Sequence, residues 1–156
     1  MSSDSILYSP YTLPCGVTVR NRLVKAAMEE NMSSKGNIPG ESLYSLYRYW
    51  AHGHLGMVIT GNVMVDKNAM TGPGGVALEK DTELTPFKKW AKIIKSNGAL
   101  AVMQINHPGR QVFKAMRGKA IAPSAVPLDM GKHSKLFAQP REMTCQDIHD
   151  VCKRFV

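Results

Sequence analysis

Every long polar stretch in this sequence follows a short apolar run, and the connections that follow helical patterns are short. Leu23-Val24-Lys25-Ala26-Ala27-Met28 leads into a polar loop over 29–40. Met57-Val58-Ile59-Thr60 precedes another, over 65–83, carrying Gly72, Pro73, Gly74 and Gly75. A third apolar run, from Ala99 to Met103, precedes a Pro- and Gly-rich loop over 106–143. Between the runs, apolar residues recur at helical spacing: Leu43, Leu46, Tyr47 and Trp50, then Phe87, Trp90, Ala91 and Ile94. Strands that alternate with helices pair in parallel, because parallel neighbours need a long crossover. Long loops at one end only place function on one face of the sheet, as in a (β/α)8 TIM barrel. A doubly wound open sheet is the runner-up, disfavoured because no G-x-G-x-x-G or P-loop follows any of the runs.

Local punctuation sharpens the elements. The segment 6–19, with Pro10, Pro14 and Gly16 between short apolar pieces, predicts a hairpin ahead of the main fold. One helix is expected over 41–52, ended by Gly53 and Gly56. Thr85 is expected to cap the next, with Pro86 at its first position and Gly98 beyond its end. The 106–143 loop has room for a short hairpin. Thr144 is expected to cap a third helix, with Asp147 completing a capping box. The expected architecture is therefore a hairpin plus about three β/α units, a partial barrel that does not close. Residues 1–156 supply under half of the strands of a whole barrel, which takes about 250 residues.

Composition excludes several classes. With 156 residues, 44% of them hydrophobic, the chain is long enough for a substantial core. No run reaches the roughly 18 apolar residues of a membrane span. Met1-Ser2-Ser3-Asp4-Ser5 shows no basic region leading into an apolar core, so no secretory signal is read and a cytoplasmic location is expected. Cys15, Cys145 and Cys152 contain no C-x-x-C pair and read as buried or half-exposed free thiols; no metal site is expected. The net charge of +8 raises nucleic acid as a partner. Lys88, Lys89, Lys92 and Lys95, however, sit at the spacing of a solvated helix face, without interleaved aromatic stacking positions, so no nucleic-acid partner is expected.

The segment Gln104-Ile105-Asn106-His107-Pro108-Gly109-Arg110 places polar residues where the third strand ends, which is where α/β folds bind ligands. By itself, Gln104 reads equally as a polar strand cap or as an amide facing a ligand. Arg110 reads as structural, within a turn set by Pro108-Gly109. His107 reads as a packing or hydrogen-bonding residue at the rim.

Three segments together carry a resemblance: Asn21-Arg22-Leu23-Val24-Lys25-Ala26-Ala27-Met28, Gly56-Met57-Val58-Ile59-Thr60, and the Gln104 to Arg110 element. In this order and at these intervals they resemble the Old Yellow Enzyme family of FMN-dependent NADH:flavin oxidoreductases and ene-reductases. The hairpin and the Ala122-Pro123-Ser124 turn are similar to that family too. The resemblance implies FMN at the C-terminal strand ends, reduced by NAD(P)H and reoxidised by an electron-poor alkene or a similar small molecule. It implies that Ala26, Ala27, Met28 and Glu29 lie against the flavin ring, and that Asn62 or its neighbour Gly61 makes a backbone contact. Gln104 would pair with the flavin pyrimidine, whose edge alternates donors and acceptors as a primary amide does.

The sequence also departs from that pattern. Ala27 stands where the family often has Pro, Glu29 where it has Thr or Cys, and Gly61 where many members have Glu. An ionised carboxylate at Glu29 would disfavour an anionic reduced flavin. The family's substrate-activating His pair and phosphate-binding loops belong to later strands, and no His-x-x-His or His-x-x-Asn occurs in the chain. Two roles are expected to compete. One is the N-terminal portion of a flavin oxidoreductase, assembled with a complementary C-terminal half. The other is a non-catalytic truncated fragment that pairs with a homologue.

Overall fold

The computed structural model describes residues 5–156. A 3-10 turn at Ile6–Tyr8 leads into β1 (Tyr11–Thr12) and β2 (Thr18–Val19), an antiparallel hairpin. Gly16, at φ +85°, supplies the left-handed residue of its turn. The main unit follows: β3 (Val24–Lys25), α1 (Glu41–Ala51), β4 (Met57–Met64), β5 (Val76–Ala77), α2 (Thr85–Lys95) and β6 (Leu100–Asn106). The rest comprises β7 (Ile121–Ala122), β8 (Arg141–Glu142) and α3 (Cys145–Arg154).

β4 is the hub of a parallel sheet. β6 pairs along it from Met57↔Leu100 to Met64↔Asn106 and so takes one edge. β3 and β5 share the other edge in tandem, β3 at Met57 and Val58, β5 at Val63 and Met64. Paired residues of a parallel sheet project to the same face, and that face alternates along each strand. Lys25, Val58 and Ala101 therefore lie on the face that α1 and α2 cover. Val24, Met57 and Leu100 lie on the other face.

The helix-covered face holds the core, formed by Leu43 and Tyr47 of α1, Val58 and Val63 of β4, and Phe87, Trp90 and Ile94 of α2. Tyr47 anchors it, edge-on to both Trp50 (4.9 Å between ring centroids) and Trp90 (5.0 Å). Edge-to-face contact sets the positive rim of one ring against the negative face of its neighbour, so it fixes orientation as well as burying area.

Four sequence expectations are corrected. The 65–83 segment contains β5, a strand of two residues, too short to show a period in sequence. Thr85 lies inside α2 rather than capping it. Leu84 is the cap position, and the Thr85 N–H donates to Glu83 Oε1 at 2.7 Å. Within 106–143, β7 and β8 pair in parallel rather than as a hairpin, because the chain between them loops back through a 3-10 turn at Gly131–Leu136. The three cysteines are free, as expected, but fully on the surface.

The Thr144 cap forms as the sequence predicts. Asp147 N–H donates to Thr144 Oγ1 at 3.1 Å, and Thr144 N–H donates to Asp147 Oδ2 at 2.8 Å. Arg141 adds two parallel bonds to the same carboxylate, at 2.8 and 2.9 Å. No residue of α3 is buried. Met103 and Ile105, on the same side of β6, are 38% and 42% exposed. Among the described residues, no strand pairs with the free edge of β6.

Two outcomes follow from this packing. Trp90→Ala empties the centre of the core and should cost about 3–5 kcal/mol in chemical denaturation. The second outcome concerns Asp147, whose carboxyl is held well below the usual carboxylate range, first by the Arg141 hydrogen bonds and then by Thr144. A depressed folded pKa stabilises fully above the unfolded value, near about 4, and that stabilisation fades as pH falls from there and is gone once pH has passed through the lower folded value. Opening of the first turn of α3, read by amide exchange corrected for its intrinsic pH dependence, should therefore be rarest above about pH 4 and grow steadily more frequent in stronger acid. Asp147→Asn should abolish this pH dependence.

Candidate functional site

The uncovered face of the sheet becomes polar where the strands end. The change begins at a break in β4. Ile59 pairs with Val102, and the next aligned pair is Asn62 with Gln104, so Thr60 and Gly61 together oppose Met103. This is a β-bulge, which inserts one residue and re-aims those after it. Without it, Gly61 would stand across from Gln104 and Asn62 would turn toward the helices. With it, Asn62 and Gln104 lie side by side on the uncovered face, directly beyond Ile59 and Val102.

Hydrogen bonds pin the bulge from several sides. Thr60 Oγ1 accepts the Gln104 N–H at 3.0 Å and donates to the Gly61 carbonyl at 2.9 Å. The Gly61 N–H donates to the Tyr47 hydroxyl at 3.1 Å, and that hydroxyl donates to Glu30 Oε1 at 2.5 Å. Lys25 Nζ donates to the Ile59 carbonyl at 2.9 Å and lies 3.5 Å from Glu30 Oε1. The Lys25 and Glu30 side chains are 5% and 8% exposed. Burial lowers the Lys25 pKa, and the Glu30 charge partly offsets that effect. The ammonium also sits over the Trp50 ring, 4.4 Å from its centroid. Burial, followed by the Glu30 contact, raises the Tyr47 pKa far above the usual phenol value, so its hydroxyl stays protonated.

A side chain at position 61 would overlap Met28 O and Glu30 Oε2. The stretch after β3 thus passes directly against the bulge. Ala26 and Met28 in that stretch are exposed, and Ala27 is half-buried. Glu29 is exposed and accepts a hydrogen bond from Thr71 Oγ1. His107 is half-buried and its Nδ1 accepts the Gly109 N–H at 3.2 Å. Burial lowers its pKa and favours the neutral ring, opposed by the Asp66 charge and aided by Arg154. Arg110 donates to the Pro127 carbonyl at 3.3 Å and braces the long loop.

The structure thus brings Asn62 and Gln104 together, with the 26–29 stretch passing beside the neighbouring bulge. Sequence reading missed Lys25, Glu30 and Tyr47. The available signal was a lysine within an apolar strand, which is costly to bury without a partner, and a second glutamate directly after Glu29. A cavity of about 690 Å³ lies elsewhere, against Ile105, Val65 and Phe155. Among the described residues, no group of three or more His, Cys, Asp or Glu side chains is placed to hold a metal, and no helix is long and apolar enough to cross a membrane.

A parallel β/α unit with long loops gathered at its strand ends is the layout of part of a (β/α)8 barrel, whose sites lie at those ends. Residues 6–156 match the NADH:flavin oxidoreductase / NADH oxidase family, and the chain belongs to that family. It is 40% identical to the NADH-dependent flavin oxidoreductase iliE of Neonectria sp. (strain DH2), over 94% of this chain and 21% of that protein. It is 36% identical to iliE of Hypocrea jecorina (strain QM6a), over 94% of this chain and 40% of that one. The fold superposes on the Old Yellow Enzyme from Pichia sp. AKU4542 with a TM-score of 0.83 at 22% identity, covering all of this chain and 42% of the other. The chain therefore spans between about a fifth and two-fifths of these relatives, and its fold is part of a (β/α)8 barrel. FMN and a nicotinamide electron donor are the cofactor and co-substrate of the family.

Gly61→Ala should force the bulge against Met28 O and Glu30, costing about 1–3 kcal/mol by the overpacking rule. A drop in thermal midpoint checks this, with Gly72→Ala as the control, since nothing lies within 4 Å of a side chain added there.

Proposed function

We propose that this chain forms one wall of the flavin site in an FMN-dependent NAD(P)H oxidoreductase of Old Yellow Enzyme type. The observation that carries the reading is the Asn62↔Gln104 register at the strand ends. Two primary amides side by side offer both donors and acceptors to the pyrimidine edge of a flavin. Ile59 and Val102 beneath them supply an apolar surface for the ring. The small side chains of Ala26 and Ala27 leave the backbone there open to the ring, with Met28 beside them. Glu29, held by Thr71, lies next along the chain, at the position where the family resemblance sets the reactive edge of the ring. When bound, FMN would supply the hydride chemistry, from NAD(P)H to an electron-poor alkene or a similar small molecule.

The substrate-activating pair and the phosphate grip come, in this reading, from a complementary C-terminal segment that continues the sheet at the free edge of β6. The exposed Met103 and Ile105 support such a cover, since apolar side chains this open gain from burial. A cytoplasmic setting is part of the same proposal.

The test is to co-express the chain with the remaining segment of the Hypocrea jecorina relative and titrate FMN by fluorescence quenching. The expected product is a yellow assembly that oxidises NADH. Gln104→Ala should weaken FMN binding about tenfold, the worth of one good hydrogen bond. An assembly that forms but stays colourless would overturn the reading. Co-purification with an intact homologue, without bound flavin, would instead favour a non-catalytic partner.

A further inference from the structure

We propose that Lys25, Glu30 and Tyr47 are positioning residues that hold the β4 bulge in place and so set the Asn62–Gln104 amide pair against the flavin; the flavin part rests on the function proposed above.

A bulge leaves backbone groups outside the regular ladder. Two of them are taken up here by side chains from other elements. The Ile59 carbonyl accepts from Lys25 Nζ, and the Gly61 N–H donates to the Tyr47 hydroxyl. These are the groups on either side of Thr60, so they bracket the irregular step. A hydroxyl has one proton to give. Glu30 takes that proton as a hydrogen bond, which leaves the Tyr47 oxygen free to accept from Gly61. Lys25 in turn partners the Glu30 carboxylate. Removal of Glu30 would free the hydroxyl proton to rotate, so the acceptor lone pair of the Tyr47 oxygen would no longer be held toward Gly61.

The energetics support a geometric role. A buried ion pair is weak evidence for stability, because an apolar pair of similar size packs as well without losing hydration. Here the pair sits where two backbone groups need a donor and an acceptor, and apolar side chains supply neither. The absence of a Cβ at Gly61 completes the arrangement, since the carboxylate occupies the space that a side chain would need.

The test uses Tyr47→Phe, which deletes one oxygen, and Glu30→Gln beside Glu30→Ala. Gly61 amide exchange and the Asn62–Gln104 cross-strand contact are read by NMR on the full chain without flavin. FMN affinity and the visible flavin spectrum are then read in the assembly described above. Tyr47→Phe and Glu30→Ala should speed Gly61 exchange about tenfold, disturb the Asn62–Gln104 contact, weaken FMN binding and shift its absorption bands. Glu30→Gln keeps an acceptor for Tyr47 and should partly restore all four readings. A purely structural role would lower the melting temperature in every variant and leave the contact unchanged in whatever remained folded, which would overturn the proposal. An altered contact with unchanged FMN affinity would also overturn it while leaving the flavin reading intact. If the unaltered assembly binds no flavin, the function proposed above fails, and the NMR comparison alone decides the role of the three residues in the bulge.

Discussion

The structure depends on β4 being satisfied on both edges and covered on one face at once. A strand in the middle of a parallel sheet has no free edge, so each backbone group must find a partner in a neighbouring strand or a nearby side chain. β6 supplies the partners along one edge, and β3 and β5 divide the other. Val58 and Val63 point into the helix layer and are almost completely buried. The faces of α1 and α2 are apolar because they have this strand to cover. The Tyr47–Trp90 contact locks the two helices together above it.

The irregular step in β4 is what separates the scaffold from the candidate site. Up to Ile59 the uncovered face is apolar, and beyond it the same face carries two amides. A regular strand could not make that change with these residues, because the two-residue period would send Asn62 to the helix side. The extra residue costs hydrogen bonds, and the molecule recovers them with a lysine, a tyrosine and a glutamate buried under the sheet. The polar groups of the core and those of the site are thus opposite sides of one distortion.

Charge is distributed in keeping with this layout. The lysines of α2 lie on its outer surface, where Lys89 pairs with Glu41 of α1 at 2.5 Å and sits over the Tyr44 ring. Such exposed pairs contribute little to stability. The Lys25–Glu30 pair differs in being buried, and the Arg141–Asp147 pair, though exposed, differs in its two parallel hydrogen bonds at the cap of α3.

Much of the fold was legible in the sequence because it is written in local signals. Helical spacing located α1 and α2, the Thr144-to-Asp147 spacing located the cap of α3, and the loop asymmetry indicated a barrel with its site at the strand ends. Gln104 and Asn62 were legible as candidates through family resemblance, and the position of Arg110 in a Pro-Gly turn indicated bracing. The sequence could not show that Lys25, Glu30 and Tyr47 meet, because their contacts join β3, the loop after it and α1. Nor could it show that Asn62 stands beside Gln104. Register across a sheet depends on where a strand bulges, and that is decided by which neighbours can satisfy the displaced backbone. Sequence alone determined the kind of fold and the end of the sheet where the long loops gather. Tertiary structure decided which side chains share the uncovered face at that end, because only packing brings distant donors and acceptors to the same peptide groups.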